Sequence, residues 1–379
     1  MSDRKLNLLI LVAGLGIGGA EVVIKHLVHA IDRRRFNVTV CCIKAAGMIG
    51  EELIRDGVEV VVLAEPRRQG PEYLTFVKLR RLIRARKIDI VHSHTTDALA
   101  DAAVCRLLMP RLRLVHTFHF GNYPHADRRN LRIERTFCRL ASKLVAVGEV
   151  QRHQIRSTFG LRDAAIQTIW NGVPYEPVVP DGSFRRLVGG TDRVLIGTIA
   201  TMIPQKGLTD LLRVAERLRD IDRRVLFVIV GEGALRQELE ALREQHGLAD
   251  SVVLAGWIRN ASRVALPEFD VFFQPSLWEA MSIAVLEAMA AGRAIVATSV
   301  GENRHIIEHG SDGLLAEPGD LDGMTAALAR AVGDVDLRRR LGDAAAKKAS
   351  EQFTVDRMTR AYEELYCNEQ GIRDANSRH

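Results

Sequence analysis

The chain alternates short β-branched runs with longer amphipathic stretches, and it does so in two successive series. In the first half, apolar runs at 8–12, 38–43, 58–63, 88–92, 112–118, 144–147 and 166–169 read as strands, with helical patterns between most of them. A second series starts at 194–199 and continues at 225–230, 252–254, 271–273, 294–297 and 313–315. Strands apolar on every residue, not on alternate ones, are covered on both faces; set between helices, they form parallel sheets. The series break at 171–192, where Asn171-Gly172, three prolines and Gly189-Gly190 cluster without periodicity. The expectation is an α/β chain of two Rossmann-like, doubly wound domains, 1–175 and 193–350, joined by a linker at 176–192. A C-terminal helix at 351–379 should pack back towards the first domain and end in a frayed tail. A length of 379 residues suits two such cores better than one.

Composition narrows the class. With 47% hydrophobic and 26% charged residues, neither a disordered nor a membrane-spanning chain fits. The apolar opening at 6–12 is far shorter than the ~20 residues a bilayer crossing needs, and it reads as a buried strand without an export signal. Five cysteines, odd in number and without a C-x-x-C pair, argue against disulfide scaffolding and point to the cytoplasm. Charge is split unevenly. Residues 1–180 carry 28 Lys+Arg against 17 Asp+Glu, whereas the remainder carries 25 against 30, so the two halves should meet different partners. Residues 73–87, from Tyr73 to Lys87, form a basic amphipathic pattern with two readings: contact with an anionic membrane at its inner face, or a packed surface helix with a solvated charged face. Nucleic acid is not an expected partner, since aromatics make up only 5% and no recognition motif accompanies the charge.

Function in such sheets sits outside the carboxyl ends of the strands, where glycine-rich turns open into helices. Gly14-Leu15-Gly16-Ile17-Gly18-Gly19 follows the first strand and fits G-x-G-x-x-G. With Glu21 in the first helical turn, Gly16, Gly18 and Gly19 read as a loop for phosphate or sugar approach. A dinucleotide site would also want a carboxylate closing the second strand, but Lys44 stands there, so an NADP oxidoreductase is a weakened alternative. The crowded His92, His94, His116, His119 and His125 lack metal-ligand spacing, and His92 and His94 read as cleft-lining groups for sugar or acceptor. Asp220-Ile221-Asp222 and Asp334-Val335-Asp336 match D-x-D but fall at helix ends, where surface turns are expected. No metal and no cofactor are expected.

The sharpest signal is the stretch 273–292. A strand ends, Pro275-Ser276 turns the chain, and Ser282 can cap a helix running to Gly292. Glu279 would sit in the loop and Glu287 two turns inside the helix, ~10 Å away at 1.5 Å per residue. That span suits a diphosphate between a sugar and a ribose, with the amides of Ser282 and Ile283 facing the phosphates. Glu287, flanked by Leu286, Ala288, Met289 and Ala290, needs a hydroxyl partner in so apolar a setting.

Glu279 and Glu287 with seven residues between them, preceded by Pro-Ser and followed by Ala-Met-Ala-Ala-Gly, resemble the signature of the retaining glycosyltransferases of family 4. The similarity extends over nearly the whole chain: Gly18-Gly19-Ala20-Glu21, His92 and His94, Thr117-Phe118-His119, Asn171-Gly172-Val173, Pro204-Gln205-Lys206-Gly207, Gly231-Glu232-Gly233 and Val300-Gly301-Glu302. The resemblance implies the GT-B fold, two Rossmann-like domains facing across a cleft. It further implies a nucleotide-sugar donor, UDP-linked by expectation, a glycan or lipid-linked acceptor, and no metal. By the same resemblance Glu287 would hold the ribose, Glu279 the donor sugar and Lys206 the departing diphosphate. Gly231 would approach the donor, Trp257 and Ile258 would flank the base, and His119 would reach the sugar from the other domain. No nucleophile accompanies Glu279, which points to front-face substitution with retention.

One position departs from the pattern. The family pairs its lysine with an arginine five residues earlier, where this chain has Thr201; a neutral hydroxyl grips a diphosphate more weakly than a charged fork. A noncatalytic GT-B subunit that binds nucleotide or glycan is therefore the alternative from another class.

Overall fold

The structure, a computed structural model, describes residues 4–64, 75–176 and 178–376, with side chains described to 368. It divides into unit 1, Met1–Gly172 with Val355–His379, and unit 2, Val173–Thr354. In chain order the elements of unit 1 are β1 (Leu6–Gly14), α1 (Gly19–Ala30), β2 (Phe36–Ala45), α2 (Gly47–Arg55), β3 (Glu59–Val62), α3 (Thr75–Ala85) and β4 (Ile90–Ser93). They continue with α4 (Thr96–Leu108), β5 (Arg113–Phe118), α5 (Arg128–Phe137), β6 (Lys143–Ala146), α6 (Glu149–Phe159) and β7 (Ile166–Thr168). Unit 2 holds α7 (Ser183–Leu187), β8 (Val194–Ile199), α8 (Leu208–Ile221), β9 (Val225–Val230), α9 (Arg236–Gln245), β10 (Val252–Gly256), α10 (Ala261–Val264) and β11 (Val271–Gln274). After these come α11 (Ile283–Ala290), β12 (Ala294–Thr298), α12 (Asn303–Ile306), β13 (Leu314–Ala316), α13 (Leu321–Gly333) and α14 (Val335–Gln352). The last helix, α15 (Val355–Asn376), belongs to unit 1.

Each unit is a parallel sheet. Unit 1 has the order β3-β2-β1-β4-β5-β6-β7 and unit 2 the order β10-β9-β8-β11-β12-β13. All thirteen apolar runs read from the sequence are strands, shifted by a residue or two at their ends. Full burial of the strands supplies the reason: Leu8–Leu11 and Phe227–Val230 are each covered on both faces. In both sheets the first strand lies inside, and the order reverses beside it, between β1 and β4 and between β8 and β11. Such reversals open a crevice at the carboxyl ends, where ligands bind in doubly wound sheets.

Local features differ from the sequence expectation. The stretch 176–192 contains α7, whose Phe184 is buried and meets Phe269 edge-on at 5.8 Å between ring centroids. Five residues are too few to show a helical period, so the sequence hid it. In α3, Leu79 and Ile83 are buried, and Phe76 and Leu82 pack against the same core. Its apolar side is thus occupied by its own unit, and Arg81, Arg84, Arg86 and Lys87 face solvent. Tyr73 and Leu74, the start of that basic pattern, lie outside the described residues. Among the described residues no helix is long and apolar enough to cross a membrane.

The helix α15 is tied to unit 1 by specific polar contacts. Glu363 accepts from the Asp32 amide at 2.7 Å and from Arg35 at 3.0 Å, and Arg113 donates to the Tyr366 carbonyl at 2.8 Å.

Candidate functional site

In unit 2 the segment after β11 is held by its neighbours before any ligand is considered. Asn303 donates to Gln274 Oε1 at 3.0 Å and to the Thr298 carbonyl at 2.9 Å, while Thr298 Oγ1 donates to the Ser276 carbonyl at 2.6 Å. Gln274 Nε2 bonds Ser282 Oγ, which also accepts from the Val285 amide and caps α11. A second clamp is the turn at Gly301. Its φ of 51° favours glycine, and a Cβ there would overlap the Glu279 carbonyl oxygen. The Glu302 amide donates to the Ala280 carbonyl at 3.0 Å.

Lys206 reaches this segment from the turn after β8. The Leu277 amide donates to the Gln205 carbonyl at 2.8 Å, and Gln205 Nε2 donates to the Trp278 carbonyl at 3.0 Å. Gly207 (φ 61°) lies so close to Pro275 that a Cβ would overlap the proline carbonyl. The outcome is a fixed ion pair: Lys206 Nζ lies 2.6 Å from Glu279 Oε1, which also accepts from Ser276 Oγ at 2.8 Å. Glu279 is 6% exposed, so its charge depends on these partners. Lys206 follows β8 and Glu279 follows β11, the two strands that flank the reversal of the sheet.

Glu287 is the fifth residue of α11, little more than one turn inside and not two as the sequence suggested. It is half-buried beside the Ser262 hydroxyl. Burial pushes its carboxyl from 4.5 up to about 7, and the Ser262 hydrogen bond pulls the other way. In the structure the hydroxyl beside this acid is that of Ser262, supplied from α10. Because the raised carboxyl ionises more readily in the unfolded chain, its contribution to stability is full below 4.5 and lost as pH rises through about 7. In thermal melts of the nucleotide-free protein, Glu287→Gln should gain on the wild type between about pH 5 and about pH 8. A difference in melting temperature that stays flat over that window would contradict the assignment.

The remaining donor candidates line the carboxyl ends of neighbouring strands. Gly231 (φ 140°) passes so near Ala200 that a Cβ would meet its carbonyl oxygen. Met202 donates to the Glu232 carbonyl at 2.9 Å and accepts from Leu235 at 3.0 Å, zipping the turns after β8 and β9 together. Thr201, on this zipped turn, is exposed. After β10, Trp257 is exposed and Ile258 half-buried.

In unit 1 the glycine loop follows β1. Gly16 is exposed with open space about its Cα, and Gly18 caps α1 with Glu21 folded against it. Gly19 begins the helix, and burial raises the Glu21 carboxyl. The closest backbone approach is made by a residue the motif does not contain: Gly47 (φ 63°) abuts the Leu15 carbonyl. Lys44, the residue that weakened the dinucleotide reading, is bound by Asp97 at 2.8 Å.

The histidines separate into two groups. His92 is fully buried, with Nδ1 2.7 Å from the Tyr366 hydroxyl and Nε2 2.8 Å from Thr117 Oγ1. Both ring nitrogens are engaged inside unit 1, so His92 is a packing residue and does not line a cleft. His116 bonds Ser93 Oγ at 2.9 Å, and His125 lies 3.4 Å from Glu134. His94 Nδ1 meets His119 Nε2 at 3.0 Å, and His94 Nε2 is buried without a hydrogen-bond partner. Burial lowers His119 to about 4 and His94 further below its ordinary value, so the pair is neutral at pH 7 and shares one N–H. Among the described residues no three His, Cys, Asp or Glu side chains are placed to hold a metal ion. Both D-x-D matches are helix-end turns: Asp222 binds Arg224, and Asp334 caps α14.

Ser276, Gln205 and Ser262 escaped the sequence reading. Ser276 was visible in the Pro-Ser turn, but nothing local marked Ser262, which lies 25 positions from Glu287.

Comparison with known proteins follows the same division. The model described as Glycosyltransferase Family 4 matches residues 17–176, and that described as Glycosyl transferases group 1 matches residues 193–334. The UDP-Gal:alpha-D-GlcNAc-diphosphoundecaprenol alpha-1,3-galactosyltransferase of Escherichia coli is 26% identical over 69% of this chain and 70% of its own. The 2-deoxystreptamine N-acetyl-D-glucosaminyltransferase of Streptomyces fradiae is 26% identical over 92% of this chain and 90% of its own. Among solved structures, Anabaena HepE in complex with UDP and glucose superposes with a TM-score of 0.87 at 22% identity, covering 96% of this chain and all of that one. Each half is matched by its own model, and each folds as the parallel-sheet unit of the GT-B type: the chain belongs to glycosyltransferase family 4, the glycosyl transferases group 1.

Proposed function

We propose that the chain transfers a hexose from a UDP-sugar to a glycan or lipid-linked acceptor, with retention of configuration and without a metal ion, in polysaccharide or envelope-glycan synthesis. The observation that carries this reading is the Lys206–Glu279 pair, locked at the β8/β11 reversal with Glu287 on the following helix. The ammonium group offsets the charge that develops on the departing diphosphate, together with the amides of Ser282 and Ile283. Glu279 Oε1 is already engaged by Lys206 and Ser276, which suits a carboxylate that positions the sugar more than a free nucleophile. In the front-face step the C1–oxygen bond to the diphosphate breaks as the acceptor oxygen bonds C1 from the same side, and the acceptor proton passes to the departing oxygen. Glu287 takes the ribose hydroxyls, Trp257 and Ile258 flank the base, and Gly231 lies along the donor. The carboxyl ends of the unit 1 strands, with Gly16, Gly18, Gly19, Glu21, His94 and His119, serve the acceptor and the transferred sugar.

On the same reading the protein works at the cytoplasmic face of a membrane, with the exposed Arg81, Arg84, Arg86 and Lys87 against anionic lipid. Cosedimentation with vesicles that does not depend on anionic lipid would remove that part.

A panel of UDP-, GDP- and ADP-hexoses tests the proposal, with nucleotide release and the product's anomeric configuration read by NMR. Release from a UDP-sugar with a retained product, at a rate insensitive to chelator, is the expected result. An inverted product, a chelator-sensitive rate or release from GDP or ADP donors alone would each overturn the corresponding clause. Silence together with no UDP binding would make this Thr201 chain a noncatalytic relative. Thr201→Arg should tighten UDP binding about tenfold by adding a charge-assisted hydrogen bond; unchanged affinity would place the diphosphate elsewhere.

A further inference from the structure

In unit 1 the residue after His119 is an exposed ring. Phe120 is 45% exposed and is the only aromatic side chain of unit 1 left so open among the described residues. It follows β5, at the carboxyl end of the sheet, where the glycine loop and His94 also lie. We infer that Phe120 is the apolar platform of an acceptor subsite that stacks the C–H face of a neutral hexopyranose; this rests on the transferase reading above.

The ring is held in place by a dedicated scaffold. Its carbonyl accepts from Gln151 Nε2 at 2.7 Å, and Gln151 is itself buried, with Oε1 taken by the Val147 amide at 2.8 Å. The ring packs against His125 at 4.8 Å between centroids and Tyr123 at 6.3 Å, both at steep angles. These two rings are anchored in turn by one buried carboxylate. Glu134 accepts from the Tyr123 hydroxyl at 3.0 Å and from Thr96 Oγ1 at 2.7 Å, and it lies 3.4 Å from His125 Nε2. Phe118 and Phe159 close around Tyr123 from the other side. A phenyl ring left in water loses the gain of burial, and the neighbouring aromatic side chains Phe118, Tyr123 and Phe159 are all buried. Six buried side chains thus surround and brace a ring whose own surface is open.

The chemistry next to it selects the ligand class. A pyranose presents axial C–H groups on one face, which need a flat apolar partner, and hydroxyls at its rim, which need groups that both donate and accept. His119 offers one position of this kind: its Nε2 is taken by His94, and burial keeps the imidazole neutral near pH 7, so Nδ1 is left to donate or to accept according to the tautomer. A neutral ring offers no charge to an anionic partner, whereas it suits a polyhydroxylated one.

The test uses the full chain and methyl glycosides of glucose, galactose and N-acetylglucosamine as probes, in saturation-transfer NMR with UDP present. UDP affinity is measured in parallel. At least one glycoside should receive saturation from the wild type, fall at least fivefold with Phe120→Ala, and be retained with Phe120→Trp. Binding unchanged in Phe120→Ala, or no glycoside bound by a protein that binds UDP, overturns the inference. Glycoside binding that depends on Phe120 in a protein without UDP affinity would keep the carbohydrate subsite and overturn the transferase reading instead. Melting curves of the variants show whether a loss reflects unfolding, and retention by Phe120→Trp is the result that a structural role for Phe120 would not give.

Discussion

Replacing Lys206 with alanine should lower the turnover of a UDP-sugar by about 10²–10³-fold, as removal of a fixed charge-stabilising donor does elsewhere. On the proposed reading the loss is large because the family's second cation is missing: Thr201 stands in its place, so Lys206 would carry the diphosphate charge with only neutral help from its own turn. Structure adds a second effect. Lys206 Nζ is the cation 2.6 Å from a Glu279 carboxylate that is almost wholly buried, and without it Ser276 and Gln205 are the remaining hydrogen-bond partners shown there. Glu279 would then turn towards solvent, carrying the sugar contact with it. Lys206→Arg should recover part of the rate, because charge is restored but the compact ammonium geometry is not. Initial rates with each variant, alongside a melting curve, check this; a Lys206→Ala rate within threefold of the wild type would show that the pair is only structural.

The adjacent residue gives the largest expected effect on stability. In Gly207→Ala the new Cβ must take a φ of 61° and overlap the Pro275 carbonyl, so unit 2 should lose about 3 kcal/mol. Gly57 provides the control, since its φ of 81° is equally unfavourable for alanine yet no atom lies within 4 Å of the added Cβ. Gly57→Ala should therefore cost only about 1 kcal/mol. The difference between the two isolates the close approach of the turns after β8 and β11. Denaturant unfolding measures it, and equal costs at both positions would mean that these turns can part freely. Gly207→Ala should also lose activity at temperatures where it remains folded, because the shift displaces Lys206 from Glu279.

The strands were legible because burial on both faces leaves an unbroken apolar run, a signal that needs no partner to be known. The Ser282 cap and the helix after it were legible for a similar local reason. What the sequence hid depends on distant residues. His92 looked like a free histidine at a strand end; Tyr366 and Thr117 occupy its nitrogens, and Tyr366 lies 274 positions away. Ser262 could not be matched to Glu287 because no periodicity links α10 to α11. Gly47 was missed because a motif search follows the chain, whereas the Leu15 carbonyl it accommodates belongs to a neighbouring strand's loop. The depth of Glu287 was misjudged in the count alone: from the same Ser282 cap it is the fifth helical residue, little more than one turn inside.

The central claim is that unit 2 binds the nucleotide half of the donor through Glu287, with Lys206 and Glu279 at the sheet reversal. Calorimetric titration of UDP into the wild type and Glu287→Ala at about pH 8, where the carboxyl is ionised, tests it most directly. The wild type should bind UDP, and the variant should bind at least about tenfold more weakly, having lost the acceptor of the ribose hydroxyls. Equal affinity in a folded variant would contradict the placement of the donor, and with it the roles given to Lys206 and Glu279.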